Sequence, residues 1–136
     1  MTESVFKWPV RVYYEDTDAQ AVVYYANYFR FLERARTEWL RALGVDQVKM
    51  LNDQRQIFVV ASTHANFIAP ARFNDELIVT AALARLTRAS FEIDQKIFRG
   101  NELLLEGGVK VALLDADTMK PQRVPKTLFE GNEHAS

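Results

Sequence analysis

The sequence predicts an α+β protein in which one long helix faces a curved antiparallel sheet, and three observations carry that reading. Apolar residues recur at helical spacing from Tyr25 to Leu43. They alternate or cluster at strand spacing in the runs that follow Ile57. Gly100-Asn101 then separates two of those runs as a tight hairpin turn would.

Taken in order, Val10 to Tyr14 alternates apolar and polar side chains and reads as a short strand. The helix follows, with an apolar stripe of Tyr25, Tyr28, Phe29, Leu32, Ala35, Trp39, Leu40 and Leu43. Arg30, Glu33, Arg34, Arg36, Glu38 and Arg41 fill its other face, where Arg34 and Glu38 are spaced to pair, and Gly44 is placed to cap the end. Ile57 to Ile68 is β-branched and aromatic and stops before Pro70; Leu77 to Leu86 is a second such run. Phe91 to Phe98 puts Phe91, Ile93 and Ile97 on one face and Glu92, Asp94 and Lys96 on the other. Leu103 to Leu114 is the last long strand, and Gly107-Gly108 within it predicts a bulge or a close backbone approach. From about residue 128 to 136 the chain reads as a frayed tail. A sheet of this kind leaves open edges, and pairing between subunits would close them, so an oligomer is expected.

The chain has 136 residues, 49% hydrophobic and 26% charged, which fits a single globular domain spanning 1–136. A net charge of −1 gives no basic surplus for nucleic acid or an anionic membrane. The absence of cysteine excludes a disulfide scaffold, a thiolate nucleophile and a cysteine-ligated metal. The opening MTESVFKWP lacks the basic start and apolar run of a signal peptide. The longest uncharged stretch, Gln56 to Ala71, is too short and too polar to span a membrane. A cytoplasmic protein is expected.

Most catalytic signatures are missing: there is no G-x-S-x-G elbow, Walker loop or H-E-x-x-H. Of the two histidines, His134 lies in the tail and His64 in a strand, so a Ser-His-Asp triad is not expected. What stands out is YYEDTDAQAVVYYANY, where Asp16 and Asp18 sit among aromatic and small apolar residues just before the helix. The pair can be solvated Asx-type turn acids. Alternatively, a carboxylate facing the free N–H groups of the helix start can bracket a substrate carbonyl, one group attacking or activating water while an amide polarises the oxygen. Spacing alone leaves both open. Asp115 and Asp117 read as turn acids.

The stretch FKWPVRVYYEDTDAQAVVYYANYFRFLERARTEWLR resembles the opening of the 4-hydroxybenzoyl-CoA thioesterase family of hotdog-fold proteins, in particular its Tol-Pal-associated acyl-CoA thioesterases (the YbgC type). FIAPARFNDEL (67–77) and MKPQRVPK (119–126) are similar to the same group, so the resemblance spans nearly the whole chain. It implies a hotdog fold with active sites at a dimer interface, in a dimer or tetramer. It also implies hydrolysis of acyl-CoA, or of an acyl carrier protein thioester, without cofactor or metal. The family's catalytic aspartate falls on Asp18, its carbonyl-polarising backbone N–H on Tyr25, and Asp16 becomes a supporting loop residue. The chain departs from the family at Gln20 and Ala21, where glycine is usual, and at Tyr25, where close relatives often carry histidine. Arg72, Arg88 and Lys110 are candidates for the coenzyme A phosphates. Glu33 and Arg36 fit a solvated helix face better than the cleft.

Two rivals remain. The D-T-D run resembles the D-x-D start of a haloacid-dehalogenase-type phosphatase, but that motif expects Thr or Val where Gln20 stands and a βα alternation this chain lacks. A non-catalytic hotdog module that binds acyl groups or a protein partner is the second.

Overall fold

The computed structural model describes residues 5–130. Five antiparallel strands form one sheet in the order β1-β3-β4-β5-β2: β1 Phe6–Arg11, β2 Gln56–Phe67, β3 Glu76–Leu86, β4 Ser90–Arg99 and β5 Glu102–Asp115. The long helix α1, Tyr25–Ala42, packs on it, and a short helix α2, Gln47–Gln54, leads into β2.

The stripe on α1 buries because its residues meet two halves of one layer of sheet side chains. Tyr28, Phe31, Leu32 and Ala35 join Val12, Leu77, Val79, Ile97 and Leu105, while Trp39 and Leu40 join Ala81, Phe91, Ile93, Val109 and Val111. Phe31 is buried in place of Tyr25 and Phe29 of the predicted stripe, which are 67% and 38% exposed. Leu43 ends the helix and Gly44 takes φ 93, the left-handed cap expected of it.

Other departures have local causes. The first strand lies at Phe6–Arg11 rather than Val10 to Tyr14; Pro9 is tolerated because β1 is an edge, and Tyr14–Asp16 turns as a 3-10 helix. Helix α2 has an Asp46 N-cap whose side chain accepts Lys49 N–H at 3.1 Å, but its C-cap is Arg55 at φ 53, so no glycine advertises its end. Glu38 pairs with Arg41, not with Arg34. Arg36 is not solvated: its Nη1 donates to Gln95 Oε1 at 3.1 Å, and burial, opposed by Glu33, holds its pKa below the usual guanidinium value. Lys126–Phe129 form a 3-10 turn, and Phe129 stacks on Trp39 at 5.7 Å, so order runs past the point where fraying was predicted. His134 and the rest of 131–136 lie outside the described residues.

The glycine pair in β5 is a close approach without a bulge. Gly107 and Gly108 stay in register with Ala65 and His64 of β2. At the β4–β5 hairpin Gly100 takes φ 60, as a two-residue turn requires. The twelve-residue strand β2 is the far edge of the sheet, and most of it is exposed in this chain.

Candidate active site

The acid loop is a small hairpin of its own. Asp18 N–H bonds to Val22 O and Ala21 N–H to Asp18 O, both at 2.9 Å, while Thr17 pairs with Val23. Closing this turn puts Ala21 at φ 65, a conformation that costs a residue with a Cβ. Its outer side is tied to the segment before β3: Val23 N–H donates to Ala71 O at 2.8 Å and Phe73 N–H to Ala21 O at 3.2 Å. That segment is anchored in turn by Arg99, which reaches Asp75 Oδ2 at 2.7 Å and Pro70 O at 3.2 Å.

The two aspartates have different surroundings. Asp16 is 7% exposed; its carboxylate accepts Tyr13 N–H at 2.9 Å, and its carbonyl accepts Tyr24 N–H and the Asn27 side-chain amide. It braces the entry to α1. Asp18 is exposed, and its Oδ1 accepts Gln20 N–H at 2.8 Å. Neither acid takes a helix-start amide as a ligand. The α1 start has no side-chain cap, no acid lies in its first turn, and the N–H groups of Tyr25 and Ala26 have no acceptor among the described residues.

Asp18, Gln20 and Tyr25 open on one cleft of about 440 Å³, which Tyr28, Phe67 and Pro70 also line. Its aromatic wall is built by contact across the fold: Phe67, at the end of β2, lies 5.0 Å from Tyr25, 5.3 Å from Tyr28 and 6.3 Å from Phe29 between ring centres. The cleft thus combines an exposed carboxylate, the positive end of a helix whose Tyr25 N–H has no acceptor among the described residues, and an apolar wall. The chemistry it supports is attack on a polarised carbonyl next to an apolar group. A larger hollow of about 600 Å³ near Thr37, Arg41 and Gln47 has neither the uncapped helix start nor the aromatic wall.

Asp18 and Tyr25, expected as a pair, line one opening, with Asp16 behind it. Of the basic candidates, Arg72 neighbours the loop through its bridge to Val22, whereas Lys110 lies opposite Glu92 and Ser62 on the sheet and Arg88 in the β3–β4 connection. Phe67 was missed as a site residue. The only signal for it was its place at the end of a strand running into FIAPAR.

A five-stranded antiparallel sheet wrapped on one long helix is the hotdog fold of the solved thioesterases that the chain resembles. Residues 20–106 match the thioesterase superfamily, and the chain belongs to it. It is 40% identical over 134 residues to the acyl-CoA thioesterase YbgC of Haemophilus influenzae, covering 98% of both chains. It is 43% identical over 129 residues to the acyl-CoA thioester hydrolase YbgC of Escherichia coli, covering 94% of this chain and 96% of that one. A crystal structure of a probable thioesterase from Bartonella henselae superposes with a TM-score of 0.85 at 34% identity, over 90% of this chain and 100% of that one.

Proposed function

We propose that the protein hydrolyses acyl-CoA thioesters in the Asp18 cleft, releasing a free acid and coenzyme A. The supporting observation is that Asp18 and the uncapped start of α1 line the same cleft. The names of the YbgC relatives, matched over nearly the full chain, agree with the substrate class.

In this reading the thioester carbonyl oxygen sits on the Tyr25 N–H, which gains strength as negative charge develops there. The ionised Asp18 carboxylate attacks the carbonyl carbon or takes the proton from an attacking water. Either route ends with the C–S bond broken, coenzyme A leaving as the thiol and water supplying the acid's new oxygen. Gln20 N–H steadies the carboxylate while leaving one oxygen available. Arg72 is the basic residue best placed for a coenzyme A phosphate.

The active assembly in this reading is a homodimer or tetramer in which exposed edge β2 pairs with another subunit, next to the Phe67 wall of the cleft. The domain extends over 1–136 and works in the cytoplasm, where a cysteine-free chain has no need of an oxidising compartment. An acyl carrier protein thioester is a second donor the same chemistry would serve, and a Tol-Pal association rests on the family resemblance.

Free-thiol release from an acyl-CoA panel tests the site. Asp18→Asn is expected to fold and assemble normally and to lose at least about 10²-fold in kcat, the scale of one transition-state charge interaction. Tyr25→Phe keeps the backbone N–H and should stay within a few-fold of wild type. Near-normal turnover by Asp18→Asn, or collapse in Tyr25→Phe, would remove these roles. Light scattering showing a stable monomer would remove the shared site.

A further inference from the structure

The 70–75 segment touches both halves of the cleft. Ala71 is fully buried; its N–H donates to Tyr28 Oη of α1 at 3.0 Å, and its carbonyl accepts Val23 N–H of the acid hairpin at 2.8 Å. Phe73 N–H adds a second bond to the hairpin, at Ala21 O. The place of Asp18 relative to the start of α1 is therefore set through this segment as well as along the chain.

Arg99 holds the segment at both ends. It stands at the end of β4, opposite Glu102 across the hairpin turn. Its Nη1 reaches Pro70 O at 3.2 Å and Asp75 Oδ2 at 2.7 Å, while Nε and Nη2 go to Glu102 Oε1. Pro70 O and Ala71 N–H belong to one planar peptide unit, so Arg99 and Tyr28 grip that unit from opposite sides. Asp75 Oδ2 also accepts Arg72 N–H at 2.8 Å, which closes the turn that carries Phe73. The Arg99 and Asp75 side chains are only 28% and 21% exposed, so the pair is shielded as an open surface pair is not.

We infer that Arg99 and Asp75 are positioning residues for the reaction: their ion pair fixes the 70–75 segment, and the segment sets where the Asp18 carboxylate stands relative to the Tyr25 N–H. This rests on the reading of Asp18 and Tyr25 as the reacting pair. Neither Arg99 nor Asp75 lines the cleft, so their effect on rate passes through the backbone. A misplacement of about 1 Å at a reacting group can cost about 10²-fold.

The test uses the acyl-CoA that wild type hydrolyses fastest, with kcat and KM from thiol release and amide hydrogen exchange by NMR. Arg99→Met should lose about 10-fold or more in kcat with KM within about 3-fold, as a displaced reacting group predicts. Its Val23 and Phe73 amides should exchange at least about 10-fold faster, while Leu113 at the far end of the sheet keeps its rate. Arg99→Lys should recover most of the loss. Asp75→Asn keeps an oxygen for Arg72 N–H and should lose kcat as Arg99→Met does, so it carries the comparison if Arg99→Met fails to fold. The double variant should be no slower than the worse single, because both changes break one link. Glu102→Gln leaves the Nη1 bonds in place and should stay within about 2-fold of wild type. Losses that add in the double variant, an equal loss in Glu102→Gln, or unchanged exchange at Val23 and Phe73 overturns the inference. If Asp18→Asn is inactive while Arg99→Met and Asp75→Asn keep wild-type kcat, the clamp alone loses its role. If Asp18→Asn turns over normally, there is no carboxylate to position and both readings fall.

Discussion

Gly107 offers the sharpest test of how this sheet is built. A Cβ placed there would lie 2.2 Å from His64 O, 3.0 Å from Ala65 Cα and 3.2 Å from His64 C. A carbon needs about 3.3 Å from a carbonyl oxygen, so Gly107→Ala requires roughly 1 Å of displacement. All three obstacles are backbone atoms of β2, which cannot rotate away as a side chain could. Overpacking of this kind costs about 1–3 kcal/mol, and each β2–β5 ladder bond it opens adds about 1 kcal/mol. A loss of about 3–4 kcal/mol follows, or roughly 10–15 °C in Tm for a chain of this size. Gly100→Ala is the control: it meets nothing within 4 Å, and its φ of 60 should cost only about 1–2 kcal/mol. Urea titration and thermal melting of both variants measure the difference. Because Ala65 and Phe67 follow the obstructed residue on β2, turnover of folded Gly107→Ala should fall as well. A Gly107→Ala protein within about 1 kcal/mol of wild type, or one no worse than Gly100→Ala, would refute the argument.

Other perturbations probe single features. Ala21→Gly should raise stability by up to about 1 kcal/mol, since relief of the left-handed strain exceeds the added freedom of the unfolded chain; a loss of stability in urea would show that the turn is not strained. Gln95 is 2% exposed and gives Arg36 its acceptor while donating to Leu32 O and Thr80 O, so Gln95→Leu should cost about 2–3 kcal/mol. Replacing Arg36 and Gln95 together by Met should recover much of that loss, and equal destabilisation of the single and double variants would contradict the pairing. Asp115 accepts the Thr118 and Asp117 N–H groups, which hold its carboxyl below the usual value. A depressed folded pKa stabilises above the unfolded pKa, so the advantage of wild type over Asp115→Asn should be full at neutral pH. It should shrink as pH falls below about 3.9 and vanish below the folded value; an advantage independent of pH across that range would contradict the assignment.

Much of the architecture was written in local pattern. The helix of Tyr25–Ala42 and strands β2 to β5 lie within a residue or two of the runs that predicted them, because periodicity reports which face is buried whatever lies opposite. Helix α2 was not legible: its eight residues bury no side chain fully, so no apolar stripe marked it. The acid loop was legible as a place, Asp18 and Tyr25 being seven residues apart across one turn. Its interior was not. Which aspartate is buried depends on Asp16 meeting Tyr24 and Asn27 of the helix entry, and those bonds exist only once the loop folds back.

Charged helix residues show the same division. By spacing, Arg36 belongs with Arg30, Arg34 and Arg41 on the open face, yet it is half-buried and bonded to Gln95, 59 positions away. Local spacing was enough to set the order and span of the main elements and the left-handed turns at Gly44 and Gly100. Packing across the fold was needed to make Phe67 the wall of the cleft, to hold Tyr28 by Ala71, to clamp the 70–75 segment by Arg99, and to bring the β2 backbone so near residue 107 that no Cβ fits. The first set depends on neighbours along the chain, whose spacing is fixed by covalent geometry. The second depends on contacts between residues tens of positions apart, and these take form only when helix and sheet have packed.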